Sequence, residues 1–297
     1  MIQLVLPGMP VPAKDKIVNV ASVPHRSPFR YPGGKTWLIP KVRTWLKSLE
    51  EPATELIEPF AGGGIVGLTA AFEQLAHHVT LVELDDQVAA IWRTILSDDV
   101  EWLVSKIGAF DCTLEAVIAE MEKRPRSTRQ KAFQTILKNR TYHGGILAPG
   151  SAPLKHGENG RGVSSRWYPE TLQRRLRDIA SRRERISFIQ GDGMEVMEKY
   201  SDRTDVAYFI DPPYTAAGKK AGRRLYNCFE LDHERLFSIC EQVQGDFLMT
   251  YDDAEGVRDL ADKHHFDVVL VAMQNTHLSK MKELLIGRNL NWAREEW

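Results

Sequence analysis

The sequence has little of what would mark a secreted, membrane-bound or metal-built protein. Its three cysteines, Cys112, Cys228 and Cys240, form no C-x-x-C pair, which argues against a disulfide framework and a cysteine zinc site. The histidine doublets His77-His78 and His264-His265 have no second cluster at ligand spacing, so no metal is expected and both doublets read as surface residues at element ends. The N-terminal stretch MIQLVLPGMPVPAKDK lacks a leading basic region, and its apolar run is too short for a signal peptide or a membrane helix. A cytoplasmic location without membrane contact is the expectation. At 297 residues the chain can hold one large α/β domain with an insertion, or two modest domains.

Charge of one sign is scarce only locally. Residues 123–185 carry sixteen Lys/Arg against four Asp/Glu, a net of +12, which leaves −13 on the remainder of a chain whose total is −1. Solvated helix faces normally mix signs, so a basic segment on an acidic body predicts a polyanion-binding face. Its centre, from Gly144 to Tyr168, breaks into Gly, Pro, Ser and Arg. A structureless stretch that long inside a compact domain points to function or motion. Arg161, Arg166, Trp167 and Tyr168 are residue types that grip phosphates, read base edges and stack or wedge bases. An arginine-rich helix is expected from Pro169 to Arg185.

The most informative stretch is VAYFIDPPY, Val206 to Tyr214. Five apolar residues make a buried strand, and the paired prolines end it because neither can donate to a sheet ladder. Asp211 is thereby left at the strand's carboxyl end, where open α/β sheets bind ligands. A carboxylate, a carbonyl between two φ-locked prolines and an aromatic ring suit a planar ring with an exocyclic amine. Asp211 would accept one amine hydrogen and the Pro212 carbonyl the other, while Tyr214 stacks on the ring. The amine lone pair then becomes nucleophilic.

Other stretches supply the remainder of such a site. ELIEPFAGGGIVGLTAAF, Glu55 to Phe72, reads as strand, glycine loop and helix, the first unit of a doubly wound sheet. It lacks both the G-x-G-x-x-G spacing and the Lys-Ser/Thr of a phosphate loop, which disfavours dinucleotides and nucleoside triphosphates. Glu83, about twenty residues after the glycines at the end of the next strand, is placed to take ribose hydroxyls. A ribose without a phosphate-binding lysine suggests S-adenosylmethionine as cofactor. FRYPGGK, Phe29 to Lys35, sets a Gly-Gly turn and a cation before an amphipathic helix. Residues 87–140 read as helices, ISFIQGDGMEVM as strand, turn and helix with Asp192 at a strand's carboxyl edge, and TAAGKKAGRRLYN as a cationic lid. Asp232 is expected to cap a helix, and KELLIGRNL to form a final edge strand. Residues 1–27 read as an N-terminal surface arm or a short added strand.

Together these pieces resemble the Dam-type (D12 class, alpha group) DNA adenine-N6 methyltransferases. FRYPGGK is similar to that family's N-terminal motif, IEPFAGGG to its cofactor loop, VELD to its ribose acid, DPPY to its catalytic turn, and YNCFELDHERL, MTYDD and ELLI to its distal signature. The resemblance implies an α/β fold, a doubly wound Rossmann-like methyltransferase sheet formed by residues 28–95 and 186–297, with a mainly helical recognition insert at 96–185. It implies cofactor contacts from Tyr31, Gly33, Gly34, Lys35, Glu58, Pro59, Phe60, Ala61, Gly62, Gly63, Glu83, Asp192 and Asp211. Asp211, Pro212 and Tyr214 would hold the target base. Duplex DNA would meet Arg140, Arg161, Arg166, Trp167 and Tyr168 of the insert and Lys219, Lys220, Arg223 and Arg224 of the lid. The resemblance leaves open an orphan role or one beside a cognate restriction endonuclease as a further partner.

Glu83 stands where the family pattern has Asp, and NRTYHGGILAPG matches its Asn-Arg recognition segment only in part. The best-known members' target sequence therefore does not carry over. The absence of a Pro-Cys nucleophile argues against cytosine-C5 methylation. Cytosine N4, an RNA adenine and a non-catalytic, cofactor-sensing DNA binder stay open as alternatives, with Asp rather than Ser at position 211 favouring adenine.

Overall fold

A computed structural model of the chain describes residues 23–30, 34–148, 150–157, 160–213, 231–274 and 280–294. Tyr31, Gly33, Tyr214, Lys219, Lys220, Arg223 and Arg224, with most of the N-terminal arm, lie outside the described residues.

Seven strands form one sheet in the order β3-β2-β1-β4-β5-β7-β6. The first five of these, β3 (Ile186–Gln190), β2 (His78–Glu83), β1 (Glu55–Glu58), β4 (Val206–Ile210) and β5 (Asp246–Asp252), pair in parallel. Then β7 (Lys280–Gly287) and β6 (Asp267–Gln274) close the sheet as an antiparallel pair. All five residues of β4 are buried, as a strand covered by helices on both faces requires. Strand order reverses between β1 and β4, and at such a switch point the loops part to leave a crevice above the carboxyl ends.

The last strand departs from expectation. Residues 282–290 read as an edge strand, yet β7 inserts between β5 and β6. Leu284, Leu285 and Ile286 are all fully buried, a continuous apolar run that suits an interior strand. The true edge, β6, alternates between buried Val269 and Val271 and half-buried Val268 and Leu270, leaving one side lightly covered.

Helix α2 (Ile65–Glu73) starts at Gly64, whose φ of +61° bends the glycine loop into the helix. It crosses the sheet so closely that a Cβ on Gly67 would lie 2.6 Å from Leu81 and 2.8 Å from Glu58 Oε2. Asp85 caps α3 (Asp86–Ile95) through the Gln87 and Val88 amides. The expected cap at Asp232 is present, its carboxylate accepting from the Arg235 amide of helix His233–Gln242.

The expected helical region after residue 95 contains α4 (Val100–Gly108), α5 (Leu114–Met121), α6 (Thr128–Thr141) and α7 (Pro169–Ala180). Phe133, Trp167, Leu172 and Leu176 belong to the same continuous apolar cluster as Trp92 and Ile91 of α3. No helix among the described residues is long and apolar enough to cross a membrane.

Gly67→Ala is expected to lower stability by about 1–3 kcal/mol despite alanine's better helix propensity, because the methyl has no room. Urea unfolding that left the variant as stable as the parent would overturn the close packing of α2 on β1 and β2.

Candidate active site

Asp211 follows the last residue of β4, and the prolines behind it stop the ladder at that point. Its Oδ1 accepts from Thr250 Oγ1 at 2.9 Å and lies 3.0 Å from Lys35 Nζ. Thr250 stands on β5, next to β4 in the sheet. Lys35 opens a short 3-10 turn directly after Gly34, and this turn leads into α1 (Ile39–Ser48). Its ammonium is almost completely buried, with a side chain 2% exposed, and it also approaches Glu283 Oε2 at 3.4 Å. Glu283 reaches the centre because β7 pairs with β5, where it sits opposite Asp252.

These charges govern one another. Burial pulls the Lys35 ammonium down, but Asp211 and Glu283 together outweigh it and hold its pKa above that of an ordinary lysine. Burial pushes Glu283 up to about 7, helped by Asp211 and Asp252 and opposed by Lys35. Glu58, at the end of β1, is 3% exposed and accepts from the Gly67 amide at 2.8 Å. Burial drives its carboxyl up to about 8 against that hydrogen bond, and the charge on Asp211 adds to the rise. One lysine cannot neutralise three carboxylates, so near neutral pH Glu58 keeps its proton.

The glycine loop lies beside this cluster. The Ala61 amide donates to Val82 O at 2.9 Å and the Gly62 amide to Glu83 Oε2 at 2.9 Å. Trp92 Nε1 donates to Gly62 O, and Ser27 Oγ to Gly63 O. Pro59 is buried and Phe60 half-buried. Gly193 comes so near Pro59 that a Cβ there would sit 2.1 Å from its carbonyl oxygen, which sets Asp192, the cap of α8 (Gly193–Lys199), at the loop's flank. Burial raises the Glu83 carboxyl to about 7, opposed by the Asp85 and Gly62 amides. The loop itself carries no base, and Glu58, Glu83 and Asp192 line its approaches. That donor set fits a cationic, hydroxyl-bearing, phosphate-free ligand, as S-adenosylmethionine is. Among the described residues no group of three or more His, Cys, Asp or Glu is arranged to hold a metal ion.

The structure thus brings together Lys35, Glu58, Glu83, Asp192, Asp211 and Pro212, with Gly34 beside them. The predicted DNA-contacting residues divide. Arg161 and Tyr168 are exposed and Arg166 is half-buried. Arg140 and Trp167 correct the expectation. Arg140 is 5% exposed, and its guanidinium donates inward to Pro28 O. Trp167 is packed edge-on against Phe110 at 5.8 Å and Phe133 at 6.5 Å, so it is a core ring and does not wedge between bases. Neighbouring Asn139 accepts from the Arg30 amide at 2.8 Å and donates to Arg30 O at 2.9 Å. The end of α6 thereby fixes the segment that delivers Lys35.

Glu283 and Thr250 were missed as site residues. Both lie in stretches similar to the family's distal signature, but only the sheet order shows what they face.

Two measurements test this electrostatic arrangement. Lys35→Met should cost about 3–5 kcal/mol by stranding buried carboxylates. Lys35→Met/Glu283→Gln should be less destabilised than the lysine variant alone, a coupling of about 0.5–3 kcal/mol; strictly additive losses would refute the shared pair. Glu58 titrates near 8 when folded and near 4.3 when unfolded. Between those values the folded chain holds a proton that the unfolded chain has released, so its contribution to stability falls as pH rises. Glu58→Gln should remove that slope and gain on the parent, by on the order of a few kcal/mol at pH 9, in apo-protein melts across pH. A constant difference from pH 5 to 9 would rule this out.

Comparison with known proteins points the same way as the geometry. The model of the D12 class N6 adenine-specific DNA methyltransferase family matches residues 31–142 and 155–276. No curated protein matches the chain. Similar solved structures include a protein of Pyrococcus horikoshii described as a "putative RNA methyltransferase", at 11% identity over 90% of this chain and 92% of that one, TM-score 0.40. A precorrin-6y C5,15-methyltransferase from Geobacter metallireducens is 9% identical over 86% and 92% of the two chains, TM-score 0.36. A tRNA methyltransferase from B. subtilis is 10% identical over 83% and 64%, TM-score 0.35. The seven-stranded sheet is a doubly wound, Rossmann-like α/β architecture, and by the extent of the family match the chain belongs to the D12 class N6 adenine-specific DNA methyltransferase family.

Proposed function

We propose that this methyltransferase transfers a methyl group from S-adenosylmethionine to N6 of an adenine flipped out of duplex DNA. The observation that carries the reading is the Asp211 carboxylate at the switch point, beside Thr250 and Lys35 and next to a glycine loop lined by acids. Glu83 is suited to the ribose hydroxyls, Asp192 to the adenine ring of the cofactor and the glycine loop to its backbone approach. Bound there, S-adenosylmethionine supplies an electrophilic methyl on a sulfonium.

The protein's own task is to present the acceptor. Asp211 accepts one hydrogen of the target amine and the Pro212 carbonyl the other, which loosens the nitrogen lone pair from the ring. Thr250 and Lys35 fix the carboxylate beforehand, so little reorganisation remains when the base arrives. A base held in the stack cannot bring N6 to the methyl, hence the flip, at a cost of about a few kcal/mol. The exposed Arg161 and Tyr168 of the basic segment are available to the duplex.

Incubation with methyl-labelled S-adenosylmethionine and unmethylated bacterial DNA, followed by digestion to nucleosides, should place the label on N6-methyl-deoxyadenosine. Asp211→Ala should slow transfer at least ~100-fold while DNA affinity changes only a few-fold. Label on cytosine N4 or on RNA instead, or turnover unchanged in the variant, would sink the assignment.

A further inference from the structure

Away from the catalytic centre, residues 23–26 and α7 enclose a cleft of about 450 Å³, lined in part by His25, Arg26, Arg174, Arg175, Phe72 and Asp178. The arginines around α7 sort by face. Arg177 pairs with Glu101 and Arg183 with Asp98, both on the side of α4. Arg174, Arg175 and Arg182 have no carboxylate within ion-pair distance among the described residues. Asp178 lines the cleft but forms no ion pair with a described residue there. The other nearby acid, Glu73 at the end of α2, is already shared by two guanidiniums, Arg26 at 3.1 Å and Arg43 at 2.6 Å. Phe72 holds two of these cations in place, with Arg26 4.5 Å and Arg182 5.7 Å from its ring centre. The cleft therefore keeps a surplus of positive charge.

That surplus continues inward. Arg175 donates to Ser27 O at 3.2 Å, and its pKa is lowered by burial and by Arg174. The pKa of Arg140 is lowered by burial and then by Arg175 and Arg30. Arg30 lies five residues before Lys35 on the segment that reaches Asp211. Arg26, Arg174, Arg175 and Arg182, spread over two chain segments around this cleft, suit an extended polyanion, whereas a small anion calls for donors converging on one point.

We propose that the cleft between residues 23–26 and α7 binds the phosphate backbone of duplex DNA to one side of the methylated base. The proposal rests on the DNA reading above and adds to it a binding surface outside the irregular segment at 144–168. It assigns Arg174 and Arg182 to phosphates directly, and Arg175 to holding residues 23–27 in place through Ser27.

The test is salt-dependent binding to a 40-bp duplex that the parent protein methylates. Arg174→Gln/Arg182→Gln should weaken binding about 3- to 30-fold at low salt and flatten the slope of log K against log salt by about 0.9 for each phosphate that is no longer neutralised. Arg177→Gln, whose guanidinium is held by Glu101 on the other face, should leave both unchanged. An unaltered slope in the double variant, or an equal loss in Arg177→Gln, would overturn the cleft while the DNA reading stands. A parent protein that neither binds nor methylates any duplex would remove the DNA reading itself, and the cleft's assignment with it.

Discussion

A single buried ammonium organises the carboxyl end of the sheet. Lys35 stands between Asp211 and Glu283 with almost no access to water, and its charge opposes the rise that burial forces on the Glu283 carboxyl. Three separate parts of the chain meet at this point: the turn after Gly34, the end of β4 and the antiparallel strand β7. Because the pair is buried, its geometry is resistant to salt and fixed before any substrate arrives. Glu58, kept neutral nearby, spares the lysine a third negative neighbour.

The support for that lysine comes from a distance in sequence. Asn139 and Arg140 at the end of α6 hold residues 28–30 through hydrogen bonds to their backbone, while Ser27 ties the same segment to Gly63. The helical region after residue 95 thus also has a structural task. It braces residues 28–30, a few positions before Lys35, by bonds that depend on the packing of α6 around Phe133 and Trp167.

Much of this was legible in the sequence because it was written in local chemistry. Paired prolines after an apolar run can only end a strand, so Asp211 was found at a carboxyl edge; glycines after a strand can only be a tight loop; Asp232 before a helical pattern was found as its cap. What stayed hidden depended on the meeting of distant parts of the chain. Glu283 looked like an ordinary charge on a terminal strand, and only the insertion of β7 beside β5 turns it toward Lys35. Arg140 and Trp167 carry side chains suited to nucleic acid, and nothing in residue type tells whether such groups face water or a neighbouring backbone carbonyl. The cation surplus of residues 123–185 was visible as a sum, but its division into acid-paired and unpaired faces of α7 emerges only in the folded chain.

The place of β7 in the sheet also has a consequence for how the protein comes into being. Strands β5 and β6 precede it along the chain yet do not touch each other in the sheet order; each awaits the strand that fills the space between them. Until residue 287 has left the ribosome, the growing chain therefore carries two bare strand edges and lacks the glutamate that shares Lys35. A nascent molecule cannot assemble the Lys35 charge cluster early, and the interval before β7 docks is when edge-to-edge association between chains is most favoured.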